Sequence, residues 1–164
     1  MVRKLISSVI IITVIIGALL PSLAFAFNDF TLPSLMDLSK KISLSNFKEK
    51  VVLLNFWTFK CPYCRLELPV LSEVQKAYPD KVKVVSVLFA RYSNLNAVRS
   101  WVLNKGLDNI TILYDERGDA FNTYGVLAVP HTIIFDQQGR RLIEFRGAVP
   151  KEVILSAVRK ALSQ

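Results

Sequence analysis

Beyond residue 27 the hydrophobic positions fall into two kinds of run: continuous stretches of strand length, and stretches spaced by three and four. Val51 to Trp57 (VVLLNFW) is nearly unbroken and predicts a central strand buried on both faces. Between Pro62 and Tyr78, Leu66, Val70, Leu71, Val74 and Ala77 recur at helical spacing, and Pro69 within the segment predicts a kink. Val82 to Phe89 is a second buried strand, and Asn94 to Lys105 a helix capped by Ser93 or Asn94 and stopped at Gly106. Ile110 to Tyr114 gives a short strand and Gly118 to Tyr124 a short helix. Thr132 to Phe135 is a strand and Asp136 to Gly139 a turn. In Arg141 to Arg146, Ile143 and Phe145 alternate with Glu144 and Arg146, the pattern of a half-exposed antiparallel edge. Pro150, at a first helical position, opens a last helix to about Leu162. Upstream, Phe30 to Leu32 reads as a short edge strand ended by Pro33, and Ile42 to Phe47 as a loop with Ser45 as a cap. The β-α-β-α-β-α-β-β-α order predicts an α/β fold with a mixed sheet and helices on both faces.

The first 26 residues stand apart from this pattern. Arg3 and Lys4 precede an apolar run from Leu5 to Leu20, Pro21 interrupts it, and Ala24-Phe25-Ala26 supplies small residues at signal-peptidase spacing. The order is that of a secretory signal cleaved after Ala26. The uncharged stretch Leu5 to Phe27 is also long enough for an uncleaved membrane anchor, which would hold the protein to the membrane through residues 1–26. Either way the single domain, residues 27–164, is extracytoplasmic: periplasmic, or at the outer face of the cytoplasmic membrane. Removing the segment lowers the formal charge from +8 to +6. The remaining basic residues are scattered, without the aromatic interleaving of a single-strand binding surface, so nucleic acid is not an expected partner.

Only two cysteines occur, Cys61 and Cys64. A disulfide stabilises most when it closes a long loop of the unfolded chain, and this ring is too small to gain much that way. The pair is therefore chemical rather than a structural staple. Two cysteines and the single histidine, His131, fall short of the four ligands of a structural zinc site, so no metal and no dissociable cofactor is expected. Cys61 follows directly from the strand, and Pro62 can open the helix. Cys61 thus lies at a helix N-terminus, where free N–H groups and the dipole favour a thiolate. Lys60 adds a positive neighbour. Cys64, one turn along, is placed to close a disulfide with Cys61: Cys61 attacks, and Cys64 resolves the mixed disulfide.

The segment VVLLNFWTFKCPYCRLELP, Val51 to Pro69, resembles the active-site segment of the TlpA/ResA-like branch of the thioredoxin superfamily. Arg65, Glu67 and Pro69 stand where that branch has a basic residue, an acidic residue and a proline. A second landmark matches as well: Tyr124-Gly125-Val126, Val129-Pro130, then Thr132 to Asp136 with Gly139. The resemblance covers essentially all of residues 28–164. It implies a thioredoxin-like fold with an N-terminal extension and a central insert around Val87 to Tyr114. It also implies a cis peptide bond before Pro130, which would shield the thiolate and leave Val129 open for pairing with a substrate strand. The departures are Lys60 in place of a tryptophan, the glutaredoxin-like pair Pro62-Tyr63, and His131 after the proline.

By the same resemblance Glu67 is an acid or base for Cys64; by composition alone it is a solvated helix glutamate. Asn55 replaces the buried aspartate of thioredoxins and cannot carry a proton. Trp57 is either contact surface beside the disulfide or plain core, and His131 a rim residue near the site. Catalysis is thus assigned to Cys61, Cys64, Glu67 and Pro130, and substrate contact to Trp57, Lys60, Pro62, Tyr63 and Val129. The expected reaction is dithiol–disulfide exchange with protein substrates. The branch implies a reductant of cytochrome c maturation type that acts on apocytochrome c and draws electrons from a membrane donor protein. The alternatives are an exported oxidant or isomerase, and a copper-delivery module built on Cys61, Cys64 and His131.

Overall fold

A computed structural model describes residues 27–91 and 93–164, so the expected export segment lies outside the described residues. The elements are β1 (Thr31–Pro33), β2 (Lys41–Ser43), a 3-10 turn (Leu44–Phe47), β3 (Val51–Trp57), α1 (Pro62–Ala77), β4 (Val82–Phe89) and α2 (Leu95–Asn104). They continue as β5 (Thr111–Asp115), α3 (Asp119–Tyr124), β6 (His131–Phe135), β7 (Arg141–Arg146) and α4 (Lys151–Leu162).

The main sheet has the order β5-β4-β3-β6-β7. β3 pairs parallel with β4 and antiparallel with β6, and β7 closes the antiparallel edge as its alternation predicts. β3 is central, and all seven of its residues are buried, which is why its run carries no period. Val51, Leu53 and Trp57 face a core filled by α1, α2 and α4. Val52, Leu54 and Phe56 face a second core filled by α3 and the N-terminal extension. The fold is thioredoxin-like, with α2 and β5 forming the central insert.

Three local expectations are corrected. Ile42 to Phe47 is not a loop: Ile42 lies in β2, which pairs with β1 to form a hairpin, and the 3-10 turn follows from Ser43, not Ser45. Pro150 is the N-cap of α4 rather than its first helical residue; its extended ψ of 148° keeps it outside the helix. The inner stripe of α1 is also turned from the apolar set read in the sequence. Cys64, Glu67, Leu68, Leu71, Ser72, Val74 and Gln75 are buried, while Leu66 is 70% exposed. Gln75 helps to fix this phase: its Nε2 donates to the Val82 carbonyl at 2.9 Å and its Oε1 accepts from Val84 N at 2.9 Å.

On the other face, Asp115 at the end of β5 anchors α3. Its buried carboxylate accepts from the backbone N–H groups of Gly118 and Asp119 at 2.9 Å, Ala120 at 3.0 Å and Phe121 at 3.3 Å. Gly118 caps the helix in the left-handed region, φ +80°, where a side chain would be strained. These contacts secure the short helix that delivers the chain to Pro130. Asp115→Ala is expected to leave four helix-start donors without this acceptor and to destabilise the protein by about 2–4 kcal/mol, read from the denaturant midpoint.

Candidate active site

The chemistry sits where β3 gives way to α1. Cys61 is the N-cap of α1, in extended conformation, and its Sγ accepts from Cys64 N at 3.1 Å. Pro62 occupies the first helical turn, where its missing N–H costs nothing. The two sulfurs are joined as a disulfide with a Cα–Cα distance of 5.3 Å. Cys61 is partly exposed and Cys64 is 1% exposed, so an incoming sulfur can reach only the first of them. No acidic residue lies in the first turn of α1 to oppose a thiolate at Cys61.

The peptide bond between Val129 and Pro130 is cis, as the resemblance implies. Pro130 is buried, and Val129 O lies 3.8 Å from Cys61 Sγ. A half-cystine sulfur has no hydrogen to donate, so this is a packing contact that seats the loop against the reactive sulfur. Lys60, Pro62 and Tyr63 are exposed around the disulfide. Phe59 is half-buried, with the Arg65 guanidinium 5.8 Å from its ring centroid on one side and Trp101 at 5.9 Å on another. Trp57 is fully buried beside Trp101 and offers substrate no surface; its core reading replaces its contact reading. His131 is not a rim residue either, being 2% exposed. Its Nε2 lies 2.7 Å from Glu144 Oε1 without the alignment of a hydrogen bond. Burial holds the imidazole below its ordinary pKa, with Glu144 pulling the other way.

Glu67 is a buried carboxyl, 4% exposed, on the inner face of α1 one turn beyond Cys64. Its Oε2 accepts from Asn55 Nδ2 at 3.0 Å and lies 3.5 Å from Thr132 Oγ1; its Oε1 has no hydrogen-bond partner. Desolvation raises its pKa to about 7, while the hydrogen bonds from Thr132 and Asn55 pull the other way. The solvated-glutamate reading is thereby excluded.

Among the surrounding polar residues, Asn55 was read only as a buried group that cannot carry a proton, and Ser86 and Thr132 were missed. Asn55 in β3 lies opposite Ser86 in β4 and opposite Thr132 in β6, a polar row across three strands beneath Glu67. Asn55 Nδ2 donates to Thr132 Oγ1 at 3.0 Å, and Ser86 Oγ donates to Asn55 Oδ1 at 2.8 Å. The available signal was a small polar residue, Asn55 or Ser86, set inside a largely apolar strand.

The AhpC/TSA family matches residues 25–140. The chain belongs to that family. It is 32% identical to the thiol-disulfide oxidoreductase ResA of Bacillus thuringiensis subsp. konkukian over 121 residues, 74% of this chain and 69% of that protein. Among solved structures it resembles the secreted thiol-disulfide isomerase of Corynebacterium glutamicum, with TM-score 0.72 and 27% identity over 83% of this chain and 84% of that one. It resembles equally the exposed lipoprotein thioredoxin Etrx1 of Streptococcus pneumoniae, with TM-score 0.70 and 27% identity over 80% and 98% of the two chains. Within the family the chain is a TlpA/ResA-like thiol–disulfide oxidoreductase with Cys61–Cys64 as its cysteine pair.

A buried carboxyl whose pKa rises on folding favours the folded state when protonated. That contribution is complete below its ordinary value of 4.5 and is lost as the pH climbs through about 7. Glu67→Gln is therefore expected to flatten the fall in stability of the oxidised protein between those limits. Above pH 7 it should gain on the order of 3 kcal/mol over the parent, read from denaturant titrations across pH.

Proposed function

We propose that this protein is an extracytoplasmic reductant of protein disulfides, of the type that keeps exported cysteine pairs such as those of apocytochrome c reduced. The observation that carries this reading is the pairing of a partly exposed Cys61 at a helix N-terminus with a buried Cys64 beside the buried carboxyl of Glu67. The direction is the one that the resemblance to the TlpA/ResA-like branch implies, and the secreted and surface-exposed relatives support the compartment. No helix among the described residues is long and apolar enough to cross a membrane. In this reading residues 1–26, with their Arg3-Lys4 start, apolar run and Ala24-Phe25-Ala26 step, act as export signal or anchor.

In the reaction, the Cys61 thiolate attacks one sulfur of the substrate disulfide and expels the other as a thiolate. Cys64 gives its proton to the Glu67 carboxylate and attacks Cys61 Sγ, releasing the second substrate sulfur. The Cys61–Cys64 disulfide remains, two electrons have passed to the substrate, and a membrane donor protein restores the dithiol. Lys60 and the helix N-terminus favour the Cys61 thiolate. Lys60, Pro62, Tyr63 and Val129 meet the substrate, and Pro130 shields the sulfur behind them.

The reduction potential of residues 27–164 tests the direction. Equilibration against dithiothreitol or glutathione should give a value near or below about −250 mV; one above about −180 mV would make the protein an oxidant or isomerase instead. The Cys64→Ser variant should accumulate a mixed disulfide through Cys61, and Cys61→Ser should form none, as read by mass spectrometry of the trapped species.

A further inference from the structure

We propose that Asn55, oriented by Ser86, confines the exchangeable proton of Glu67 to Oε1 and keeps Oε2 as a permanent acceptor. The inference rests on the reading of Glu67 as the proton carrier for Cys64, and it assigns Asn55, Ser86 and Thr132 as positioning residues.

Asn55 Oδ1 takes the Ser86 hydroxyl hydrogen, which leaves the two Nδ2 hydrogens for Glu67 Oε2 and Thr132 Oγ1. With Oγ1 occupied as an acceptor, the Thr132 hydrogen is left to point at Oε2, 3.5 Å away. Two donors thus converge on Oε2, and a proton placed there would meet the amide hydrogen head-on. Oε1 has no such neighbour, so the acid form is Oε1–H. All three residues are buried in one row of the sheet. The reverse amide orientation would set Oδ1 against Oε2 and Thr132 Oγ1. That arrangement is stable only while Oε2 itself carries the proton, and it turns repulsive when Glu67 ionises.

The chain Ser86 to Asn55 to Glu67 therefore keeps an amide hydrogen on the carboxylate. It partly offsets the desolvation that burial imposes, and it leaves Oε1 as the oxygen that exchanges protons. A carboxyl fixed in this way cannot turn to offer its other oxygen without breaking two hydrogen bonds.

The sign of a titration separates the two arrangements. With glutamate labelled at its side-chain carboxyl carbon, the Glu67 midpoint in the oxidised protein can be followed by NMR without any turnover. Thr132→Val, which keeps the branched shape, should raise that midpoint by about one pH unit, and Ser86→Ala by about half a unit. Ser86→Thr should restore the parent value. The pH dependence of disulfide-peptide reduction by the reduced variants should move in the same direction. A midpoint that falls in Thr132→Val or Ser86→Ala would place the proton on Oε2 with the amide reversed. A midpoint that stays fixed would show that the row does not address the proton, and either result overturns the inference. Glu67→Gln separates this from the underlying reading. If that variant keeps the parent pH profile of exchange, Glu67 is not the carrier, whatever the NMR shows for its proton.

Discussion

Helix α1 takes its rotational phase from its first turn, and the active site depends on that phase. Cys61 serves as N-cap through its sulfur, Pro62 sets the first helical φ, and Gln75 three turns later is locked to β4 by two backbone hydrogen bonds. Between these fixtures the helix can present only one stripe to the sheet. The stripe holds Cys64 and Glu67 among leucines and a valine, and it leaves Leu66 outside. A helix packed purely to bury its greasiest face would rotate Leu66 inward and Glu67 out to water. The chain gives up that gain, and the result is a buried carboxyl one turn along the helix from Cys64.

The sheet answers the helix. A carboxyl taken out of water needs donors; β3 and β6 supply them at one level through Asn55 and Thr132, and Ser86 of β4 donates to Asn55 from the same row. The parallel register of β3 with β4 and the antiparallel register with β6 put these residues opposite one another. Central strands are otherwise the most apolar part of such a fold, so the row marks where packing has yielded to chemistry. The loop that ends in Pro130 completes the site from the far side, carried there by a short helix tied to Asp115.

Most of the architecture was legible in the sequence because the central strands are long and buried on both faces. Val51–Trp57 and Val82–Phe89 fall at the residues their runs predict, and two closely spaced cysteines with too few other ligands for zinc point to redox chemistry. The β1–β2 hairpin was not legible: three residues a side carry too little pattern to separate a strand from a loop. Helix phase was the second gap. Leu66, Val70 and Val74 have helical spacing whichever way the helix faces, and only the cap and tertiary hydrogen bonds decide which side is buried. His131 failed for a similar reason. A histidine beside a reactive loop suggests a rim, but the pleat of β6 turns this one inward beside Glu144. The partners of Glu67 are non-local, 12 and 65 residues away in the chain, and become neighbours only through the strand order.

The N-terminal extension bears on how the molecule keeps to itself. Ser34 bridges Leu113, and Leu35 N donates to the Ile112 carbonyl at 2.8 Å, so the outer side of β5 is already occupied by the chain's own backbone. Of the five-stranded sheet, this leaves β7 as the open border, and there Arg141, Glu144 and Arg146 stand as a charged fence. Strand borders are where proteins zip onto one another, and a fence of charges or a covering segment prevents it. A thiol–disulfide oxidoreductase brings its own strands close to those of the protein whose thiols it exchanges. With one border covered and the other charged, the two can meet at the sulfurs without their sheets joining.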